Sequence, residues 1–109
     1  MPIANCIVAP ECASGAGDLI ELWASSSGLP AEQMTINIIL RSEQLGKRYT
    51  IMANLLLPSL WSDTHISRLQ LGLASALSLH FAVAIDEIFV TTQIVTSGLV
   101  VEGGREIHW

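Results

Sequence analysis

Charge is scarce in this chain of 109 residues: Asp, Glu, Lys and Arg together make up 14%, against roughly a quarter in an ordinary soluble domain. Five basic residues stand against ten acidic ones, and no basic cluster exceeds Lys47-Arg48. A nucleic-acid footprint needs a basic patch or stripe to displace phosphate counterions, so this balance argues against nucleic acid as a partner. There are only two cysteines, Cys6 and Cys12, too few for a disulfide framework at this length. Cys6 reads as a small buried side chain. Cys12, beside Glu11, has no cationic neighbour in sequence to favour its thiolate, which argues against a nucleophilic role.

Long hydrophobic runs are missing too. The longest, residues 51–61, is interrupted by Asn54, Pro58 and Ser59 and falls well short of the ~20 residues a membrane-spanning helix needs. No membrane association is expected, and without a positively charged leader ahead of the first strand-like segment the default expectation is a cytoplasmic protein. His65, His80 and His108 have no metal-ligand spacing, so no metal site is expected. Gly15-Ala16-Gly17 lacks the third glycine of a dinucleotide fingerprint and the Lys of a phosphate loop.

What the chain does have is apolar surface. Half its residues are hydrophobic, and with so few charges to cover a single domain, burial against further copies of the chain is expected. The segment Pro2-Ile3-Ala4-Asn5-Cys6-Ile7-Val8 is echoed by Ile51-Met52-Ala53-Asn54-Leu55-Leu56-Leu57. After each comes a turn signal, a stretch of helical periodicity and a second strand-like run. The helices are expected over about 16–27, ended by Gly28 and Pro30, and over about 63–81. The second is capped by Ser62 and carries Ile66, Leu69, Leu73 and Leu77 on one stripe. The following strands are expected over 34–40 and 87–95. The reading is an α+β domain covering 1–109, built from two pseudo-repeats of about 1–46 and 47–109. Its two β-α-β units form a four-stranded sheet with two helices on one face. Ser97-Gly98 and Gly103-Gly104 bracket Leu99-Val100-Val101, as in a hairpin or edge strand able to reach a neighbouring subunit.

Pro2 is the residue with the most chemistry. Removal of Met1 would leave a secondary amine at the N-terminus, and a chain-terminal amine has an ordinary pKa of about 7.7 to 8.0, lowered by burial. Such a group is a workable general base near neutral pH. While Met1 remains attached, the nitrogen belongs to a tertiary amide and its lone pair is delocalised. Pro2 is equally acceptable as a plain strand opener, with no ladder hydrogen bond to lose.

Met1-Pro2-Ile3, the doubled unit and Ser97-Gly98-Leu99-Val100-Val101-Glu102-Gly103-Gly104 together resemble the tautomerase superfamily, which includes oxalocrotonate tautomerase and macrophage migration inhibitory factor. The length is similar to its fused, trimeric branch. The resemblance implies a homotrimer, a cofactor-free reaction and Pro2 as the base in keto-enol proton transfer on a small keto-acid or related unsaturated acid. The chain departs from the family pattern at Trp61 and Phe89, which align where substrate-binding arginines would fall, and at Leu29, which replaces a lysine. Trp61 and Phe89, with Val100, then imply a more apolar substrate site. Arg41, Lys47 and Arg48, in the loop between the halves, remain as candidates for anion binding. Asn5 and Asn54 read as hydrogen-bonded interface groups. The alternative is a catalytically silent oligomer of the same fold with a ligand-binding or protein-interaction role.

Overall fold

The two echoed segments form the centre of the sheet. In the computed structural model, which describes residues 1–12 and 15–109, the chain runs β1 (Ile3–Val8), α1 (Leu19–Ser27), β2 (Thr35–Leu40), β3 (Ile51–Pro58), α2 (Asp63–Phe81) and β4 (Ile88–Val95). A hairpin of β5 (Val100–Glu102) and β6 (Arg105–Ile107) follows. The main sheet has the order β2-β1-β3-β4. Each crossover helix joins a parallel pair, β1 with β2 and β3 with β4, while β1 and β3 are antiparallel. Asn5 stands directly opposite Asn54, so a local two-fold axis passes between the two asparagines that the sequence echo singled out.

Strict alternation along the central strands explains why both helices lie on one side. Ala4, Cys6 and Val8 of β1 and Ile51, Ala53, Leu55 and Leu57 of β3 are buried, whereas the residues between them are more open. This is the period of two that a half-covered strand requires. Opposite them α1 supplies Leu19, Trp23, Ala24 and Ser27, and α2 supplies Leu69, Gly72, Leu73, Ala76 and Leu77. The helices cross closely: a β-carbon on Gly72 would lie 2.9 Å from the backbone nitrogen of Ser27. At the same crossing the indole of Trp23 donates to the Leu69 carbonyl at 3.0 Å, satisfying the polar end of the largest fully buried side chain.

Helix ends follow local chemistry. The first helix starts at Leu19, three residues later than its apolar periodicity implied, because Asp18 is its N-cap and accepts from the Glu21 amide at 3.3 Å. Gly28 ends it at φ 73°, the left-handed closure that glycine adopts without strain. The second spans the expected 63–81, with the Ser62 hydroxyl accepting from the His65 amide at 3.2 Å. It ends on Ala82 at φ 53°, a conformation glycine would take more cheaply.

Three rows of side chains cross the face turned away from the helices, each set by the register. They are Thr35, Ile3, Leu56 and Gln93; then Asn37, Asn5, Asn54 and Thr91; then Ile39, Ile7, Met52 and Phe89. The middle row is hydrogen-bonded in two pairs, Asn37 to Asn5 at 2.8 Å and Asn54 to Thr91 at 3.2 Å. The last row leaves Ile7 42% and Ile39 50% exposed. The edge strand β2 has five of its six residues exposed, Ile38 and Leu40 among them. An apolar face and bare sheet edges of this kind are what the charge-poor composition anticipated.

Candidate active site at the chain start

Because β1 is parallel to β2 and antiparallel to β3, the start of the chain lies where β2 begins and β3 ends. Pro2 is buried there, and its carbonyl accepts from the Thr35 amide at 3.0 Å. A cavity of about 430 Å3 opens over this corner. Met1 and Ile3 contribute from the chain start, Glu32, Gln33 and Thr35 from the turn leading into β2, and Pro58 and Leu60 from the end of β3. Val100, Glu102 and Ile107 enter from the hairpin, and Trp109 closes the wall.

The hairpin reaches the corner because of its turn. Gly103 and Gly104 have φ values of 61° and 79°, the pair of left-handed residues that a tight two-residue hairpin with matching twist demands. It is a separate two-stranded sheet, tied back by the Gly98 amide to the Ile107 carbonyl at 2.9 Å. The chain end is pinned as well: the Trp109 backbone nitrogen donates to the Ser97 hydroxyl at 2.8 Å and its indole to the Ser59 hydroxyl at 2.9 Å.

Burial holds the Met1 terminal amine below its ordinary 8.0, while the Glu102 carboxylate pulls it the other way. The Pro2 nitrogen is bonded to Met1, so loss of Met1 uncovers that nitrogen at the space Met1 now fills.

The remaining candidates are dispersed. Val100 is on the cavity wall. Trp61 follows the end of β3 at the same pole of the sheet; its ring meets His65 edge-on at 5.5 Å, and its buried indole nitrogen has no partner among the described residues. Phe89 lies at the opposite pole, in the row with Ile7, with its ring 5.1 Å from that of Tyr49. Arg41 is there too, its amide bonded to the Val8 carbonyl and its guanidinium donating to the Tyr49 carbonyl. The length of β1, six residues at 3.3 Å each or about 20 Å, separates it from Pro2 within one protomer. Lys47 lies over the Tyr49 ring at 5.3 Å, and Arg48 pairs with Glu11 at the surface.

Glu32, Gln33, Glu102 and Trp109 were not singled out from sequence. Glu102 carried a signal, sitting immediately before the paired glycines; Trp109 and the Glu32 turn reach the site only through the three-dimensional path of the chain. Within the protomer the cavity wall carries carboxylates and no Lys or Arg.

No protein-family model matches the chain, and no curated protein sequence does. Solved structures do. A native fused 4-OT superposes with a TM-score of 0.74 at 13% identity, covering 95% of this chain and 94% of its own. Another fused 4-OT, solved as an asymmetric trimer, gives 0.75 at 16% over the same shares. Macrophage migration inhibitory factor from Oncomelania hupensis gives 0.71 at 14%, covering 99% of this chain and 82% of its own. The protein therefore has the fold of the tautomerase superfamily, in the doubled form seen in the fused 4-OT structures.

Proposed function

We propose that this chain is a tautomerase-superfamily isomerase that, once Met1 is removed, uses the Pro2 amine as general base in keto-enol proton transfer on a small carbonyl compound. The observation that carries this reading is the burial of Pro2 between Met1 and Ile3, both of which line a cavity of about 430 Å3. Proton transfer needs a base that is uncharged near neutral pH, and burial disfavours the charged form of an amine. It also needs donors for the oxygen that gains negative charge. Gln33 and Thr35 are neutral donors on the cavity wall. The mechanism takes a proton from the carbon next to the carbonyl onto Pro2, develops the enolate against these donors, and returns the proton to oxygen or carbon. No cofactor enters this scheme.

The fused 4-OT is a trimer, and the half-apolar open face here supports a homotrimer for this chain. A keto-acid substrate requires that assembly, because Arg41, Lys47 and Arg48 can meet a carboxylate at Pro2 only from a neighbouring copy. Phe89, at the opposite pole, has the same requirement if it is to line the site, whereas Trp61 already lies at the Pro2 pole, next to Leu60 of the cavity wall. The second reading, a silent oligomer that binds a ligand or a protein, is favoured by one observation: the cavity wall of the protomer lacks the cations that a carboxylate substrate needs.

The test is deuterium incorporation from D2O into phenylpyruvate and into an uncharged ketone of similar size, followed by NMR. Protein whose N-terminus is Pro2 by mass spectrometry is compared with protein that keeps Met1. Positioned proton transfer contributes on the order of 10² to 10⁴ in rate, so retention of Met1 is expected to cost at least about a hundredfold. Equal exchange by both forms removes Pro2 from the mechanism, and exchange by neither leaves the silent reading.

A further inference from the structure

The protomer's own contribution to the cavity is anionic and aromatic. Glu32 and Glu102 are the charged side chains on its wall, reaching it from the turn before β2 and from the hairpin. Among the described residues neither is in an ion pair, and the Met1 amine, on which Glu102 acts, leaves with Met1. Arg105 lies opposite Glu102 in the hairpin register, but among the described residues the only ion pair is Arg48 with Glu11, at the other pole. The third element is Trp109, whose ring is fixed by hydrogen bonds from both its backbone and its indole nitrogen. A fixed indole and two carboxylates on the wall of one cavity are the kind of group that attracts an ammonium or quaternary ammonium, by charge and by the electron-rich ring face. A proline amine acting as a base is uncharged and does not offset the carboxylates.

Resting on the reading of this cavity as the Pro2 site, we propose that its substrate class is a small carbonyl compound bearing a positive charge, with Glu32, Glu102 and Trp109 as the specificity-determining residues. A carboxylate of the same size is disfavoured there by like charge. Apolar walls from Ile3, Leu60 and Val100 suit the alkyl parts of such a molecule.

The experiment uses full-length protein with Pro2 at its N-terminus. The probes are (2-oxopropyl)trimethylammonium, its uncharged isostere 4,4-dimethylpentan-2-one, and pyruvate. Binding is followed by calorimetry and by NMR shifts of the Trp109 indole and the Thr35 and Val100 amides; hydrogen exchange in D2O is measured on the same samples. One aromatic contact and two exposed carboxylates together support roughly tenfold tighter binding of the cation than of its isostere, a margin that shrinks as salt is raised. The double variant Glu32→Gln with Glu102→Gln is expected to bring cation and isostere to equal affinity, with its melting temperature unchanged because both positions are exposed. Equal affinity for cation and isostere in the unaltered protein, tighter binding of pyruvate, or a cation preference that survives the double variant overturns the proposal. Selective cation binding without exchange of any probe removes the proton-transfer reading and leaves the ligand class standing. Exchange of the uncharged ketone without cation preference does the reverse.

Discussion

Replacing Gly72 with Ala tests the packing that holds the two helices on the sheet, because two effects of opposite sign meet there. In an isolated helix Ala is favoured over Gly by about 1 kcal/mol. At the crossing, however, the new carbon would stand 2.9 Å from the Ser27 nitrogen and 3.1 Å from both the Ser26 carbonyl carbon and the Ser27 α-carbon. These are backbone atoms, which cannot swing aside as a side chain does, so relief comes from moving one helix by several tenths of an ångström. That motion also stretches the 3.0 Å bond from the Trp23 indole to the Leu69 carbonyl. Overpacking of this kind costs about 1 to 3 kcal/mol, and weakening a buried hydrogen bond adds up to about 1 kcal/mol. After subtracting the propensity gain the sum runs from about 0 to 3 kcal/mol, and Gly72→Ala is expected to destabilise by its middle, about 1.5 kcal/mol, a drop of roughly 6 to 12 °C in melting temperature for a domain of this size. Thermal unfolding followed by circular dichroism measures it. Ser75→Ala, on the exposed side of α2, calibrates propensity alone and is expected to raise the melting temperature slightly. A Gly72→Ala protein as stable as the Ser75→Ala control would refute the close crossing.

The Met1 amine is expected to titrate below 8.0 by NMR, and Glu102→Gln to lower it further, since the carboxylate favours the charged amine while burial opposes it; an upward movement contradicts the placement of Glu102 at the chain start. In the processed chain the same influences act on Pro2, so the acidic limb of the rate profile, where the base becomes protonated, is expected to move to lower pH in that variant. Burial pushes the Cys6 thiol up to about 12, leaving roughly one thiolate in 10⁴ at pH 8; iodoacetamide under native conditions is expected to label Cys12 and spare Cys6, as peptide mass spectrometry would reveal. Ala82→Gly is expected to stabilise the protein by about 1 kcal/mol, since Ala82 closes α2 at φ 53° where a side chain is penalised. An unchanged melting temperature would argue against that left-handed closure.

Periodicity made the scaffold legible. The sheet centre announced itself through the repeated Ala-Asn pair, and the second helix through Ser62 and the stripe from Ile66 to Leu77, because these are local signals read within one or two turns. The start of the first helix was misjudged by three residues because Asp18, an effective cap, sits beyond glycines that carry no periodic information. The site was less legible, for a topological reason. Pro2 and Val100 could be tied to one corner by their motifs, but Glu32, Leu60 and Trp109 come from three distant connections that converge only after the strands have paired. The loop cations Arg41, Lys47 and Arg48 drew attention by their charge. Strand direction carries them to the opposite pole, a property of the sheet that no single segment encodes.

The doubling of the fold is unequal in one respect. The local axis between Asn5 and Asn54 relates the head of β1 to the head of β3, yet the counterpart of Pro2 at the latter is Ile51, whose nitrogen is a peptide amide joined to Thr50 in mid-chain. Joining two halves into one polypeptide thus seals one of two equivalent poles against amine chemistry. The aromatic and basic side chains gathered at the sealed pole, Tyr49, Phe89 and Arg41 among them, therefore have no amine of their own protomer to serve.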